Sequence, residues 1–150
     1  MASDVWQQMI DVNLRAGFLL GQAVGNHMRE AGIKGRMVYI TSLHSEVPRN
    51  LPHYSAAKAG LTMTMTELAR ALGPHGIRVN AVQPGAIPGG GAQSDVSDML
   101  HLIPLGLAGV PDDIAQMALV LLCDRFSSYV TGAQAAVDSG IGLQSWIAAR

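Results

Sequence analysis

Tyr54 and Lys58 stand four residues apart in the stretch HYSAAKAGL, residues 53–61. On an α-helix that spacing puts one side chain above the other on a single face. An ammonium held beside a phenol favours the phenolate and lowers its pKa from about 10. A phenol tuned in this way can give or take a proton near neutral pH. A surface tyrosine and lysine at ordinary helical spacing would look the same, so the pair gains meaning only from what surrounds it.

The surrounding pattern alternates strands and helices. Asp4 is placed to cap a helix, with Gln7 at the capping-box position. Trp6, Met9, Ile10, Asn13, Leu14, Gly17, Leu20, Gly21 and Val24 follow with helical spacing, to a stop at Gly32. Gly17, Gly21 and Gly25 form a smooth stripe that predicts the close approach of another backbone. Residues 37–41 (MVYIT) read as a buried strand. The loop SLHSEVPRNLPH leads into a helix from about Tyr54 to Leu72. Residues 61–66 alternate like a strand, but Leu61, Met65, Leu68 and Leu72 keep the helical period and Gly73-Pro74 makes a stop.

Residues 77–82 (IRVNAV) read as a second strand, cut off at Pro84-Gly85. Residues 86–110, rich in Gly, Pro, Ser and Asp, predict a long loop with one short helix near residues 97–103. Pro111 and Asp112-Asp113 open a third helix, to about Cys123. A third strand at residues 134–137 closes on Asp138-Ser139-Gly140. This order predicts an α/β fold: a partial, Rossmann-like parallel sheet of about three strands with right-handed crossovers, in one domain over residues 1–150.

Ligands of such sheets bind outside the carboxyl ends of the strands. Thr41-Ser42, the Tyr54–Lys58 pair and Pro84-Gly85 all fall on that edge. Asn13, a polar residue within an apolar helical pattern, calls for a specific partner.

Composition narrows the class. The chain is 49% apolar and 14% charged, with a net charge of −1 and no basic run, which argues against a nucleic-acid or anionic-membrane surface. The single cysteine, Cys123, permits no internal disulfide or cysteine-based metal cluster. The longest charge-free stretch, residues 79–94, is interrupted by Pro84, Pro88 and several glycines, so no bilayer span is expected. The start, MASDVWQQM, does not read as a signal peptide. A cytoplasmic setting is the expectation.

Taken together, DVNLRAGF, YITSLHS, HYSAAKAG and RVNAVQPG resemble the short-chain dehydrogenase/reductase family, and residues 112–140 resemble its C-terminal segment. The resemblance covers the chain from about Trp6 onward. It implies hydride transfer between NAD or NADP and a carbonyl or alcohol substrate, with Tyr54 as general acid/base. It further implies that Lys58 favours the phenolate and holds the nicotinamide ribose, and that Ser42 steadies the substrate oxygen. The backbone of Asn13 would hold a water leading from Lys58 to solvent. Pro84, Gly85 and Ile87 would face the nicotinamide carboxamide. A homo-oligomer, or a separate N-terminal half, is the expected partner.

Three departures stand out. The family's serine usually lies thirteen residues before its tyrosine; here Thr41 holds that place and Ser42 lies twelve before, so either hydroxyl qualifies, with Ser42 favoured. Gly89 stands where the family often has a cofactor-contacting threonine. No G-x-G-x-x-G turn follows a strand anywhere in the chain, so the phosphate cradle is lacking. The first strand is therefore expected at a sheet edge, open to pairing with another chain. A non-catalytic remnant that acts through oligomer contacts is the competing reading. A Ser/His/Asp hydrolase is weaker, because Ser42 lacks a G-x-S-x-G elbow and His44, His53 and His75 lie in loops without a matched acid. Substrate choice would fall to residues 86–110, the SEVPRNLP loop and the tail with Trp146; His53, beside Tyr54, also stands where it could touch substrate.

Overall fold

The computed structural model describes residues 2–88 and 96–143. Gly89, its neighbours Gly90 and Gly91, and Trp146 lie outside the described residues. Three parallel strands form one sheet in the order β1 (Arg36–Ile40), β2 (Arg78–Pro84), β3 (Gln134–Val137). The register pairs Tyr39 with Ala81 and Ala81 with Gln134. β2, flanked on both sides, is buried from Arg78 to Gln83, whereas β1 is half-buried and ends on an exposed Ile40. β1 is thus the expected edge strand, and the fold is the partial Rossmann-like α/β sheet read from the sequence.

Helices cover both faces. α3 (Pro52–Leu72) packs Met65, Ala69 and Leu72 onto Ile77, Val79 and Ala81, with Met37 and Tyr39 of β1 joining this core. Strand residues of the other parity meet α4 (Pro111–Leu122): the buried Arg78 donates from Nη1 to Leu121 O at 3.0 Å. Asn80, on that same face, ties down the turn before β3, donating to Val130 O at 3.0 Å and accepting from Ala133 N at 3.0 Å. A one-turn helix, α5 (Asp124–Ser127), places Asp124 between Arg36 and Arg78.

Pattern reading located these elements to within a few residues. The strand expected at residues 77–82 extends to Pro84 because Gly85 N still donates to Val137 O, at 3.0 Å. The short helix near residues 97–103 is a 3₁₀ segment, Ser97–Leu102. At the N-terminus Asp4 does not cap; Ala2 occupies the cap position and Asp4 lies in the first turn, where its charge suits the helix dipole.

The first helix also departs from regularity. α1 (Ser3–Ile10) and α2 (Ala16–Glu30) are joined without a break by a π-helical turn, Asp11–Arg15. Such turns widen the helix by a residue and leave a backbone carbonyl less tightly committed. The glycine stripe packs against side chains, not a second backbone. A methyl group on Gly17 would meet Leu61, one on Gly21 would meet Tyr39 and Leu68, and one on Gly25 would meet Leu72. Tyr39 reaches this seam because its hydroxyl donates to Gly17 O at 3.2 Å.

Gly21→Ala should therefore destabilise the chain by about 1–3 kcal/mol through overpacking, despite alanine's better helix propensity. A fall in the urea midpoint at unchanged m-value is the expected readout.

Candidate active site

The site is assembled at the carboxyl end of β1. The ladder continues one residue past the strand, with Thr41 N donating to Val82 O at 2.9 Å. This turns the Thr41 side chain inward. It is 1% exposed, and its hydroxyl lies 3.1 Å from Val82 O and 2.8 Å from Gln134 Oε1. Thr62 of α3 donates to the same Gln134 oxygen at 2.8 Å. Thr41 is thus part of a polar clamp between sheet and helix, away from the strand-end opening.

Ser42 is extended and caps the 3₁₀ turn Leu43–Ser45, its Oγ accepting from His44 N at 3.3 Å. With a lone pair so engaged, the hydroxyl proton is free to donate. The same turn is tied to β2 where Gln83 Nε2 donates to Ser45 Oγ at 3.1 Å.

Pro52 opens α3 at a position where a missing N–H costs nothing, placing Tyr54 in the first turn and Lys58 one turn on. Lys58 Nζ lies over the Tyr54 ring, 5.5 Å from its centroid, and donates to Ile40 O at 3.1 Å. The lysine is only 9% exposed, and burial pushes its pKa below the ordinary 10.5. Among the described residues no carboxylate lies within ion-pair distance of it.

His44 joins the group: its ring meets that of Tyr54 edge to face, with centroids 5.1 Å apart and planes at 79°. Its Nδ1 is sealed from solvent without a hydrogen-bond partner. Burial first, and the Arg49 charge second, hold the imidazole below its ordinary 6.5. His44 thus touches Ser42 through its backbone N–H and Tyr54 through its ring, and Tyr54 faces Lys58.

The remaining expected residues sit on other elements. Asn13 sits within the π turn, where its Nδ2 donates to Met9 O at 3.2 Å and approaches Met9 Sδ at 3.0 Å. Leu14, beside it, packs on Gly60 of α3, so the π turn lies over the helix that carries Lys58. Pro84 ends β2. Gly85 is required for a reason the sequence did not reveal: a Cβ there would stand 2.6 Å from Asp138 Cβ and 2.7 Å from Asp138 Cα. The close neighbour of its missing side chain is the end of β3. Ile87 reaches toward Gly109 across the loop mouth.

A nicotinamide ribose suits the Lys58 ammonium, which engages one acceptor and retains N–H groups for a diol. For the diphosphate, the sequence has no G-x-G-x-x-G turn between a strand and a helix. An apolar cavity of about 730 Å³ lies between the end of β3, the loop near Pro104 and α4, and Tyr54 is not among its lining residues.

The sheet topology is that of a partial Rossmann-like α/β fold, with a polar cluster at the carboxyl end of β1. The chain belongs to the short-chain dehydrogenase/reductase family: the family model described as enoyl-(acyl carrier protein) reductase matches residues 1–142. It is 38% identical to glucose 1-dehydrogenase 2 of Bacillus subtilis over 95% of this chain and 57% of that protein. Its fold matches acetoin dehydrogenase from Salmonella typhimurium with a TM-score of 0.86 at 33% identity, over 97% of this chain and 59% of the other. It also matches a short chain dehydrogenase from Leptospira borgpetersenii with bound NAD+, at a TM-score of 0.87 and 28% identity, over 95% and 58% of the two chains. The chain thus spans a little over half the length of these relatives. Among the described residues no helix is long and apolar enough to cross a membrane, and no cluster of His, Cys, Asp or Glu could hold a metal ion.

The depressed His44 pKa has a consequence for stability. The unfolded chain binds a proton at His44 more readily than the folded one, so acidification below about 6.5 costs folding energy. His44→Gln should lose less stability than the wild type between pH 7 and pH 5, as read from urea midpoints.

Proposed function

We propose that the chain carries the proton-transfer machinery of an NAD(P)-dependent oxidoreductase acting on a small carbonyl or alcohol substrate. One observation carries this reading: the ammonium of Lys58 is buried under the Tyr54 ring and, among the described residues, has a single acceptor and no counter-ion. A buried cation without a paired carboxylate is costly and is retained where chemistry needs it.

In this reading Tyr54 gives its proton to the carbonyl oxygen during reduction and takes it back during oxidation. Lys58 stabilises the phenolate left behind and donates to the nicotinamide ribose. Ser42, its hydroxyl proton freed by the His44 N–H contact, donates to the substrate oxygen and steadies its developing charge. Ser42 is preferred over Thr41, whose hydroxyl faces Val82 and Gln134. The Asn13 backbone, in a π turn, would hold a water between Lys58 and solvent. Pro84, Gly85 and Ile87 would border the nicotinamide carboxamide. When bound, that cofactor supplies or accepts the hydride. The relative solved with NAD+ supports this choice of cofactor. Two relatives are named for substrates, glucose and acetoin, in which the reacting carbon has an oxygen-bearing neighbour. The protein is read as cytoplasmic, and its partner is either further copies of itself or an N-terminal half carrying the phosphate cradle.

Tyr54→Phe should lower turnover about 100-fold or more with cofactor binding retained. Ser42→Ala should lower it as well. Thr41→Val should leave turnover nearly intact while lowering the thermal midpoint. Equal turnover in Tyr54→Phe and wild type would overturn the assignment.

The lack of a G-x-G-x-x-G turn favours a second reading, a non-catalytic remnant that works through oligomer contacts. Titration of the purified chain with NADH and NADPH separates the two. Absence of binding at millimolar concentration rules out catalysis by this polypeptide alone.

A further inference from the structure

The amino ends of β1 and β2 hold more positive charge than their surroundings neutralise. Arg36 opens β1, Arg78 opens β2, and Lys34 lies in the connection just before β1. All three line a cavity of about 480 Å³. Asp124 is the one carboxylate among its lining residues, and it is shared. Arg36 Nε donates to Asp124 Oδ1 at 2.7 Å, and Arg78 Nη2 donates to the same oxygen at 3.1 Å. Three cations therefore face one carboxylate.

The deficit falls hardest on Arg78, which is 8% exposed. Its Nη1 donates to two carbonyls, Leu121 O at 3.0 Å and Val130 O at 3.1 Å, which are dipoles and leave the charge in place. Nη2 keeps a second N–H beyond its bond to Asp124, and Nε is enclosed without a hydrogen-bond partner among the described residues. A buried guanidinium with a half-share of a carboxylate and an unpaired donor is an incomplete arrangement. Lys34 adds to the surplus. Its stem runs past Gly76, where a Cβ would stand 3.1 Å from Lys34 Cγ, and it has no ion-pair partner among the described residues.

We infer that this cavity is an anion site, in which a phosphate group, free or borne by a small molecule, is held by Lys34, Arg36 and Arg78. A carboxylate would offset only part of the surplus, whereas a phosphate carries about 1.5 to 2 negative charges at neutral pH. Its several oxygens also suit guanidinium forks better than a single-point anion does. Tyr129, fully exposed and part of the same lining, offers a ring on which the organic part of an ester can lie. The inference does not depend on the reading of Tyr54 and Lys58, which stand at the carboxyl end of β1.

The test follows the Gly76 amide and the Arg78 Nε–H in the ¹⁵N-labelled chain while sodium phosphate replaces sodium chloride at constant, low ionic strength. Both signals should shift and saturate in the millimolar range. Lys34→Glu reverses an exposed charge, and circular dichroism confirms that the variant is folded. It should weaken the affinity about tenfold, and Lys34→Arg should keep it. Phenyl phosphate separates the two sources of the group. Binding tighter than that of inorganic phosphate, with the advantage lost in Tyr129→Ala, marks an ester as the occupant, and equal binding marks free phosphate. Shifts that grow linearly without saturating, or an affinity unchanged in Lys34→Glu, would each overturn the inference. Neither cofactor nor carbonyl substrate enters the titration, so its outcome leaves the oxidoreductase reading untouched.

Discussion

The structure is organised around a cation that water cannot easily reach. Lys58 is 9% exposed, and its ammonium is held by the Ile40 carbonyl at the end of β1 and by the face of Tyr54. Neither partner carries a full negative charge, so neither repays the desolvation of an ammonium. The geometry is imposed from outside. Met65, two turns further along α3, is 1% exposed in a core with Val79 and Ala81, and this packing presses the helix onto the sheet. Burial of the apolar face fixes where Lys58 must lie, and the cost falls on the ammonium. That is the direction in which its pKa moves.

Polar clamps keep the strand-end loop from relaxing away from this arrangement. Gln134 begins β3, yet its side chain reaches Thr41 beyond the end of β1, Thr62 on α3 and Glu46 in the loop. Gln83 holds Ser45. Ser42 thus sits between two residues anchored to other strands, which is how a loop side chain acquires the precision of a strand side chain. At the opposite end of the sheet Asp124 bridges Arg36 and Arg78, tying the starts of β1 and β2 to α5. The charges there serve the fold, whereas the Lys58 charge has no ion-pair partner among the described residues.

What the sequence discloses follows from the range of each interaction. Helical period and strand length are local, so the elements and their order were legible. The four-residue spacing of Tyr54 and Lys58 is local too, and it survives as a shared helix face. The direction of Thr41 was not legible, because it depends on Gln134, a residue 93 positions away. His44 was read as a loop histidine because only the fold brings its ring onto Tyr54. The glycines of α2 announced close packing without naming its partner, which proved to be side chains of Tyr39 and α3. Gly85 signalled an approach of backbone, and the approaching group is Asp138 rather than open space. The π turn around Asn13 had no sequence signal stronger than a polar residue in an apolar pattern.

The strand-end cluster is compact in sequence for the same reason. Ile40, Ser42, His44, Tyr54 and Lys58 all belong to one strand, the loop that follows it and the first turns of one helix. A strand–loop–helix unit of this length needs only a neighbouring strand and a helix-covering core to hold its shape, and β2 with Met65 and its neighbours supplies both. Phosphate binding of the kind a dinucleotide requires comes from a different strand–turn–helix unit, one built on glycines that these residues do not contain. The placement of Tyr54 and Lys58 beside the end of β1 is therefore set within about twenty residues of sequence, whereas a dinucleotide's diphosphate would call for a second such unit. Among the described residues β1 and β3 are both edge strands, each with ladder groups on one side to which a further strand could add by backbone hydrogen bonds.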